Sequence, residues 1–289
     1  MATWTDRSWY SAEGLRLHYR DYAGPHDKPP ILCIPGLTRN SRDFEPIADR
    51  YAGDWRVIAV DLRGRGSSEH DPDKRHYAPS YYVADILKLL DQLGIADAVF
   101  VGTSLGGICT MVLASTDSDR IAGALINDIG PEIDPAGIDR IGGYVGKDVL
   151  FESWEDAAAR LRERNHEMFP NWTTSEWHRF VRRVCYEAED GIRFQYDMGI
   201  AENFRLATET PSANAWPMLR ALEGRPVTIL RGELSDLLSQ DVAERMAADL
   251  GNDAELVTIP DTGHAPSLEE PEAQAAIDRL LERVLAREA

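Results

Sequence analysis

The pattern of apolar and polar positions predicts strands that alternate with helices along the first half of the chain. Residues 14–22 alternate apolar and polar side chains, so they predict a strand that pairs with a preceding extended stretch as a hairpin. Between Ser80 and Leu93 apolar residues recur at helical spacing, and Gly94 follows as a stop. Short continuous apolar runs lie at 31–36, 56–61, 98–102 and 121–128. Such runs between helices are typical of a mostly parallel sheet that is covered on both faces.

The alternation stops after Asp128 and resumes with the apolar run at 226–231. The interval is too long for a loop without secondary structure. It also contains helix starts: Asp134 precedes a proline, and Thr173 stands three residues before a glutamate, as in a capping box. We therefore expect an inserted helical layer over this interval.

After the insertion, the pattern predicts two more strand and helix pairs. They are a strand at 226–231, a helix at 239–249, a strand at 255–259 and a helix at 271–287. The predicted fold class is therefore α/β, with a doubly wound, mostly parallel sheet. We expect residues 1–130 and 216–289 to form the core and residues 131–215 to form a helical cap.

Composition and charge exclude several classes of protein. The 289 residues carry a formal net charge of −18, which would repel a phosphate backbone, so no nucleic-acid partner is expected. No apolar run reaches the length of a membrane span, and the N-terminus has no apolar segment typical of a signal peptide. Cys33, Cys109 and Cys185 lie in apolar segments without metal-ligand spacing, which predicts buried free thiols, a cytoplasmic location and no metal site.

Ser104 stands between two glycines, Gly102 and Gly106, where a predicted strand ends and a helix begins. Reactive groups of α/β sheets gather at the carboxyl ends of strands. The G-x-S-x-G spacing fits a sharp turn that forces the serine into strained backbone angles, and side chains at the glycine positions would collide with neighbouring backbone. The pattern therefore indicates a nucleophilic serine.

A serine hydroxyl needs an adjacent base to become a nucleophile. The chain has seven histidines, and His264 is the one in a loop between the last predicted strand and the last helix, at the carboxyl edge of the sheet. We therefore expect His264 to act as the general base.

The histidine in turn needs a carboxylate that fixes its tautomer and orientation. Asp236 and Asp128 each follow a predicted strand at the same edge. We favour Asp236, because its strand directly precedes the last strand in the chain and consecutive elements usually lie side by side. Asp128, one strand farther away, is the alternative and is expected to anchor the start of the cap.

The reaction also needs donors for a developing oxyanion. The backbone N–H of Leu105, directly after the serine, is one candidate. The backbone N–H of Leu37 is the other, in the loop after the first parallel strand. Gly36 next to it would let the backbone approach.

These segments together resemble the α/β-hydrolase superfamily, in its capped serine-hydrolase branch of esterases and lactonases. The resemblance rests on "PGLTRNSRDF", "DLRGRGSS", "VGTSLGG", "RGELSD" and "DTGHAPSLEEPE". It implies a Ser104–His264–Asp236 triad, with Leu37 and Leu105 at the oxyanion hole. One departure is Pro35, which stands before Gly36 where many members have histidine.

The resemblance implies hydrolysis of a small carboxylic ester or lactone through an acyl-enzyme on Ser104, without cofactor or metal. Members that use aspartate as the nucleophile, the haloalkane dehalogenases and epoxide hydrolases, do not fit a serine at this position. The alternatives are a C–C bond hydrolase of ring-cleavage products with the same triad, and a ligand receptor without catalysis. The sequence does not indicate an oligomeric state.

The cap is expected to determine the substrate. Its aromatic residues predict a mainly apolar pocket and a preference for uncharged acyl groups, with Arg39 as a possible anion clamp. The candidate pocket residues are Arg39, Tyr144, Trp154, Phe169 and Trp177. For each aromatic residue among them, a place in the core of the cap is favoured over one in the pocket lining.

Overall fold

The computed structural model describes residues 2–209 and 214–288 and contains ten strands and ten α-helices in that part of the chain. The strands are β1 (Trp4–Tyr10), β2 (Arg16–Tyr22), β3 (Ile31–Ile34), β4 (Val57–Asp61), β5 (Ala98–Thr103), β6 (Ile121–Asn127), β7 (Cys185–Ala188), β8 (Gly191–Phe194), β9 (Val227–Gly232) and β10 (Ala254–Ile259). The helices are α1 (Glu45–Tyr51), α2 (Pro79–Leu93), α3 (Leu105–Asp117), α4 (Pro135–Gly142), α5 (Trp154–Asn165), α6 (Thr174–Val184), α7 (Ile200–Glu209), α8 (Trp216–Arg220), α9 (Gln240–Leu250) and α10 (Pro271–Glu288).

Eight strands form one sheet in the order β1-β2-β4-β3-β5-β6-β9-β10. The pairs β1–β2 and β2–β4 are antiparallel, and every other neighbouring pair in this sheet is parallel. The parallel strands therefore end at one common edge. The predicted leading hairpin and the mostly parallel, doubly wound α/β sheet are confirmed.

Both faces of the sheet are buried, as the continuous apolar runs predict. In β4, Ile58 and Val60 pack into the apolar cluster on one face, while Val57 and Ala59 pack into the cluster on the other. Successive side chains of a strand point to opposite faces, so a strand without polar alternation needs cover on both. Helices α2 and α3 contribute to the first cluster, and α1 and α10 to the second.

The elements between β6 and β9 include four longer helices and the β7–β8 hairpin, which is separate from the eight-stranded sheet. They have an apolar cluster of their own, with Trp177 buried in it. Thr173 caps the start of α6, and its hydroxyl and the Glu176 side chain form the expected capping box. The boundaries of the cap at 131 and 215 stay a prediction. Within the described residues, no helix is both long enough and apolar enough to cross a membrane.

The turn from β5 into α3 requires glycine on both sides of Ser104. A Cβ atom at Gly106 would lie 2.1 Å from the Ile34 carbonyl oxygen, and one at Gly102 would lie 2.5 Å from the Gly106 carbonyl carbon. The obstacles are backbone atoms, which cannot move aside as a flexible side chain can. The glycines therefore set how closely α3 approaches β3 and β5.

We predict that Gly106→Ala lowers the free energy of unfolding by about 2 kcal/mol or more, because the added methyl group overlaps backbone. Gly142→Ala, at the end of α4, is the matched control. Its Cβ would contact only a Phe204 ring atom at 3.7 Å, and alanine favours helix, so it should keep or raise stability. Thermal unfolding of both variants checks this. Equal melting temperatures for the two would contradict the steric account.

Candidate active site

Ser104 lies at the carboxyl end of the sheet, between β5 and α3, in the strained conformation that the sequence predicts. Its φ is 52° and its ψ is −113°, a region that residues with side chains rarely occupy. Its backbone N–H donates to the Asn127 carbonyl at 2.9 Å, which ties the turn to the end of β6. The hydroxyl oxygen is thereby presented above the sheet edge.

His264 lies beside Ser104, in the loop after β10. Its Nε2 is 2.9 Å from Ser104 Oγ, within hydrogen-bond distance. Its Nδ1 is 2.8 Å from Oδ2 of Asp128. The Asp128 side chain has no exposed surface, and only 9% of the His264 side chain is exposed. Serine, histidine and carboxylate therefore form one continuous hydrogen-bonded chain, whose carboxylate end is fully shielded from water.

Asp128 is held from two further directions. The Gly232 N–H donates to Oδ1 at 2.8 Å, and the Ser235 hydroxyl donates to Oδ2 at 2.7 Å. Gly232 is the last residue of β9, the strand that pairs with β6, and Ser235 follows in the loop after it. Hydrogen bonds from neutral donors stabilise an ionised carboxylate in a buried site, because they replace the hydration that the charge loses there.

The prediction that Asp236 lies against His264 is wrong, and Asp128 holds that place. Asp236 instead forms a two-point ion pair with Arg140 of α4, with Nε–Oδ2 at 2.5 Å and NH2–Oδ1 at 2.8 Å. The prediction of Asp236 required His264 to lie next to the end of β10. The loop actually crosses the end of β9, where a Cβ at Gly232 would lie 2.4 Å from the Thr262 carbonyl oxygen. This crossing brings His264 to the end of β6.

The ion pair with Arg140 determines the titration of Asp236. Burial by itself would raise the pKa of Asp236, but the hydrogen bonds and positive charge of Arg140, with a smaller contribution from His264, hold that pKa below its ordinary value. Asp236 thus stays ionised and links the loop after β9 to the first helix of the inserted layer.

The two proposed oxyanion donors have no acceptor of their own. Within the described residues, neither the Leu37 N–H nor the Leu105 N–H donates to backbone or side-chain atoms. Leu105 is the first residue of α3, where N–H groups lack helical partners and the helix dipole favours negative charge. Leu37 follows Gly36, where an added Cβ would lie 3.7 Å from Ser104 Cβ, so this loop runs beside Ser104. Both groups remain available to an anion at Ser104.

A cavity of about 150 Å³ opens at Ser104 and His264, between the sheet edge and the inserted helices. Of the predicted pocket residues, Arg39, Tyr144 and Phe169 line it. Trp154 and Trp177 do not, so the prediction is wrong for these two.

The two tryptophans are used in packing instead. Trp177 is 1% exposed and packs edge-on against Phe169 and Trp172, while Trp154 lies 4.1 Å below the Arg182 guanidinium. Trp172, which the sequence did not single out, lines the cavity. Which face of a helix turns toward the cavity depends on how the inserted helices pack, and the sequence does not supply that.

The lining of the cavity is mainly apolar and aromatic, as the sequence predicts, but it also carries charges, most of which the sequence did not indicate. Four arginines line the cavity, against one carboxylate, Asp43. The arginines are Arg39, Arg140, Arg164 and Arg183. Arg39 was foreseen because it follows the oxyanion loop directly. The other three come from separate helices, and no spacing in the sequence indicates that they converge.

Comparison with known proteins identifies relatives over almost the whole chain. The model of the alpha/beta hydrolase family matches residues 31–277. The chain is 34% identical over 276 residues to a 3-hydroxybutyrate-oligomer hydrolase from Cupriavidus necator, covering 92% of this chain and 93% of the relative. It is 29% identical to a 2-(acetamidomethylene)succinate hydrolase from Mesorhizobium japonicum, covering 84% of each. The crystal structure of an alpha/beta hydrolase from Novosphingobium aromaticivorans has 49% identity and a TM-score of 0.92, with 98% and 99% coverage.

The lowered pKa of Asp236 predicts a pH-dependent contribution to stability. A carboxyl group whose pKa falls on folding stabilises the protein above its unfolded pKa, and this contribution is lost as the pH falls through the folded pKa. Wild type should therefore melt above Asp236→Asn at pH 7, and the difference should narrow once the pH drops below 3.8, the ordinary value.

Melting temperatures of both proteins between pH 7 and pH 3 measure this difference. Asp119→Asn is the control, because Asp119 pairs with Arg225 but its carboxylate is 96% exposed, so it should shift the melting temperature little. A difference for Asp236→Asn that does not change with pH would argue against the ion pair.

Proposed function

Since the chain belongs to the alpha/beta hydrolase family, we propose that it is a serine hydrolase of small carboxylic esters, with Ser104 as nucleophile, His264 as general base and Asp128 as the orienting acid. The hydrogen-bonded chain Ser104–His264–Asp128 carries this proposal. The role that the sequence argument gave to Asp236 passes to Asp128.

In the first step, Ser104 Oγ attacks the ester carbonyl carbon while its proton moves to His264 Nε2. The carbonyl oxygen becomes an oxyanion that accepts hydrogen bonds from the Leu37 and Leu105 N–H groups. Asp128 keeps the Nδ1 proton of His264 in place and stabilises the imidazolium that forms.

The tetrahedral intermediate then collapses. The C–O bond to the alcohol breaks, His264 returns the proton to the departing oxygen, and the acyl group remains on Ser104. Water attacks this acyl-enzyme with His264 again as base, which releases the carboxylic acid and restores the Ser104 hydroxyl.

Two observations support a small ester as substrate. The named activity of the Cupriavidus necator relative is hydrolysis of 3-hydroxybutyrate oligomers, whose units are joined by ester bonds. The cavity of about 150 Å³ is smaller than the roughly 300 Å³ at the lower end of pockets for drug-sized ligands. Short acyl chains therefore fit this site better than long ones.

We expect Ser104→Ala to abolish hydrolysis of a short 4-nitrophenyl ester while the protein keeps its melting temperature. Removing the nucleophile of a serine triad costs on the order of 10⁶ in kcat. Steady-state kinetics and circular dichroism measure the two effects. Turnover by the purified variant near the wild-type rate would rule out Ser104 as nucleophile.

Asp128→Asn and Asp236→Asn separate the two candidate acids. Loss of the orienting carboxylate costs about 10⁴ in kcat, so Asp128→Asn should lose activity on that scale. Asp236→Asn should keep kcat within about tenfold of wild type, because its side chain contacts Arg140 rather than His264. Assays of both variants on one ester, with folding checked, give the answer. The reverse ranking would assign the acid to Asp236.

A further inference from the structure

Three of the four arginines that line the cavity have carboxylate partners. Arg39 pairs with Asp43 at 2.7 Å, and Arg140 pairs with Asp236. Arg183 pairs with Glu269 at 2.7 Å. Their positive charges are therefore largely balanced inside the protein.

Arg164 is different. Over the described parts of the chain, no carboxylate lies within ion-pair distance of it, and its guanidinium makes no protein hydrogen bond. It comes from the last turn of α5, lines the cavity and remains accessible to solvent. It thus places an uncompensated positive charge inside a site that already contains the proposed nucleophile.

Aromatic contacts hold Arg164 at the cavity. Its guanidinium carbon lies 4.2 Å from the centre of the Tyr144 ring, which also lines the cavity. Partial burial lowers the pKa of Arg164, and the charge of Arg140 adds a smaller contribution, while Tyr144 and Tyr196 act in the opposite direction. A partly buried cation without a carboxylate partner is stabilised when an anion binds beside it.

We propose that Arg164 binds a carboxylate of the substrate, so that the enzyme prefers esters that carry a negative charge away from the scissile bond. This proposal rests on the proposed function and specifies its substrate class. A guanidinium stacks on an aromatic ring while its N–H groups bind a planar carboxylate at two points. Tyr144 supplies the ring, and the substrate would supply the carboxylate.

The net charge of −18 does not oppose this preference. Salt screens charges that are separated by more than about 8–10 Å of solvent, so acidic groups on distant surfaces contribute little at the cavity. The local charge decides, and of the four arginines in the lining Arg164 is the one without a carboxylate partner among the described residues. The preference for uncharged acyl groups that the sequence predicts is replaced by the opposite one.

Two pairs of matched esters test the proposal, one with the charge on the acyl side and one with the charge on the alcohol side. The first pair is mono-4-nitrophenyl adipate and its methyl ester at the remote carboxylate. The second is 4-(butyryloxy)benzoate and its methyl ester. The ratio of kcat/KM for the charged over the neutral ester is measured for wild type, Arg164→Gln, Arg164→Lys and Arg162→Gln. Arg162 lies on the same helix outside the cavity lining and is the control.

In wild type and Arg162→Gln we expect the charged member of at least one pair to be favoured about tenfold or more, as for a hydrogen-bonded charge pair. Arg164→Gln should bring that ratio to about one while neutral-ester turnover persists, and Arg164→Lys should restore part of it. A wild-type ratio near or below one in both pairs, or a preference that survives Arg164→Gln, overturns the proposal. Failure of the proposed function looks different, because wild type would then hydrolyse none of the four esters.

Discussion

The buried carboxylate of Asp128 is the interaction on which the geometry of the site depends. It receives hydrogen bonds from Gly232, Ser235 and His264, and so joins the ends of β6 and β9 to the loop after β10. Without it, His264 would lose the partner that sets its orientation toward Ser104. A carboxylate without exposed surface is tolerated because each of these donors compensates for lost hydration.

Much of the sheet and the turn at Ser104 could be predicted, because both follow from local patterns in the sequence. The apolar runs defined the strands, and the glycines beside Ser104 defined the turn, since backbone atoms leave no room for a Cβ there. The choice between Asp128 and Asp236 could not be made this way. It depends on where a loop crosses the sheet edge and on Arg140, a partner from a separate helix. Sequence order alone placed the carboxylate partner of His264 one strand too far along.

The inserted helices complete the site and also give it its charge. The Met168 carbonyl accepts a hydrogen bond from the Gly263 N–H, next to His264, so the turn after α5 contacts the proposed catalytic loop. The same helix end contributes Arg164 to the cavity. The aromatic residues of the inserted segment were visible in the sequence. Tertiary packing decides which of them are buried in the interior, as Trp177 is, and which line the cavity, as Phe169 does.

The proposed mechanism requires Ser104, activated through His264, to become covalently acylated. Mass spectrometry of the protein after exposure to a fluorophosphonate, which traps activated serines, detects this reactivity. We expect one adduct per chain, located on the peptide that contains Ser104, and no adduct in Ser104→Ala. An ester-hydrolysing enzyme that carries its adduct on another residue, or none at all, would contradict it.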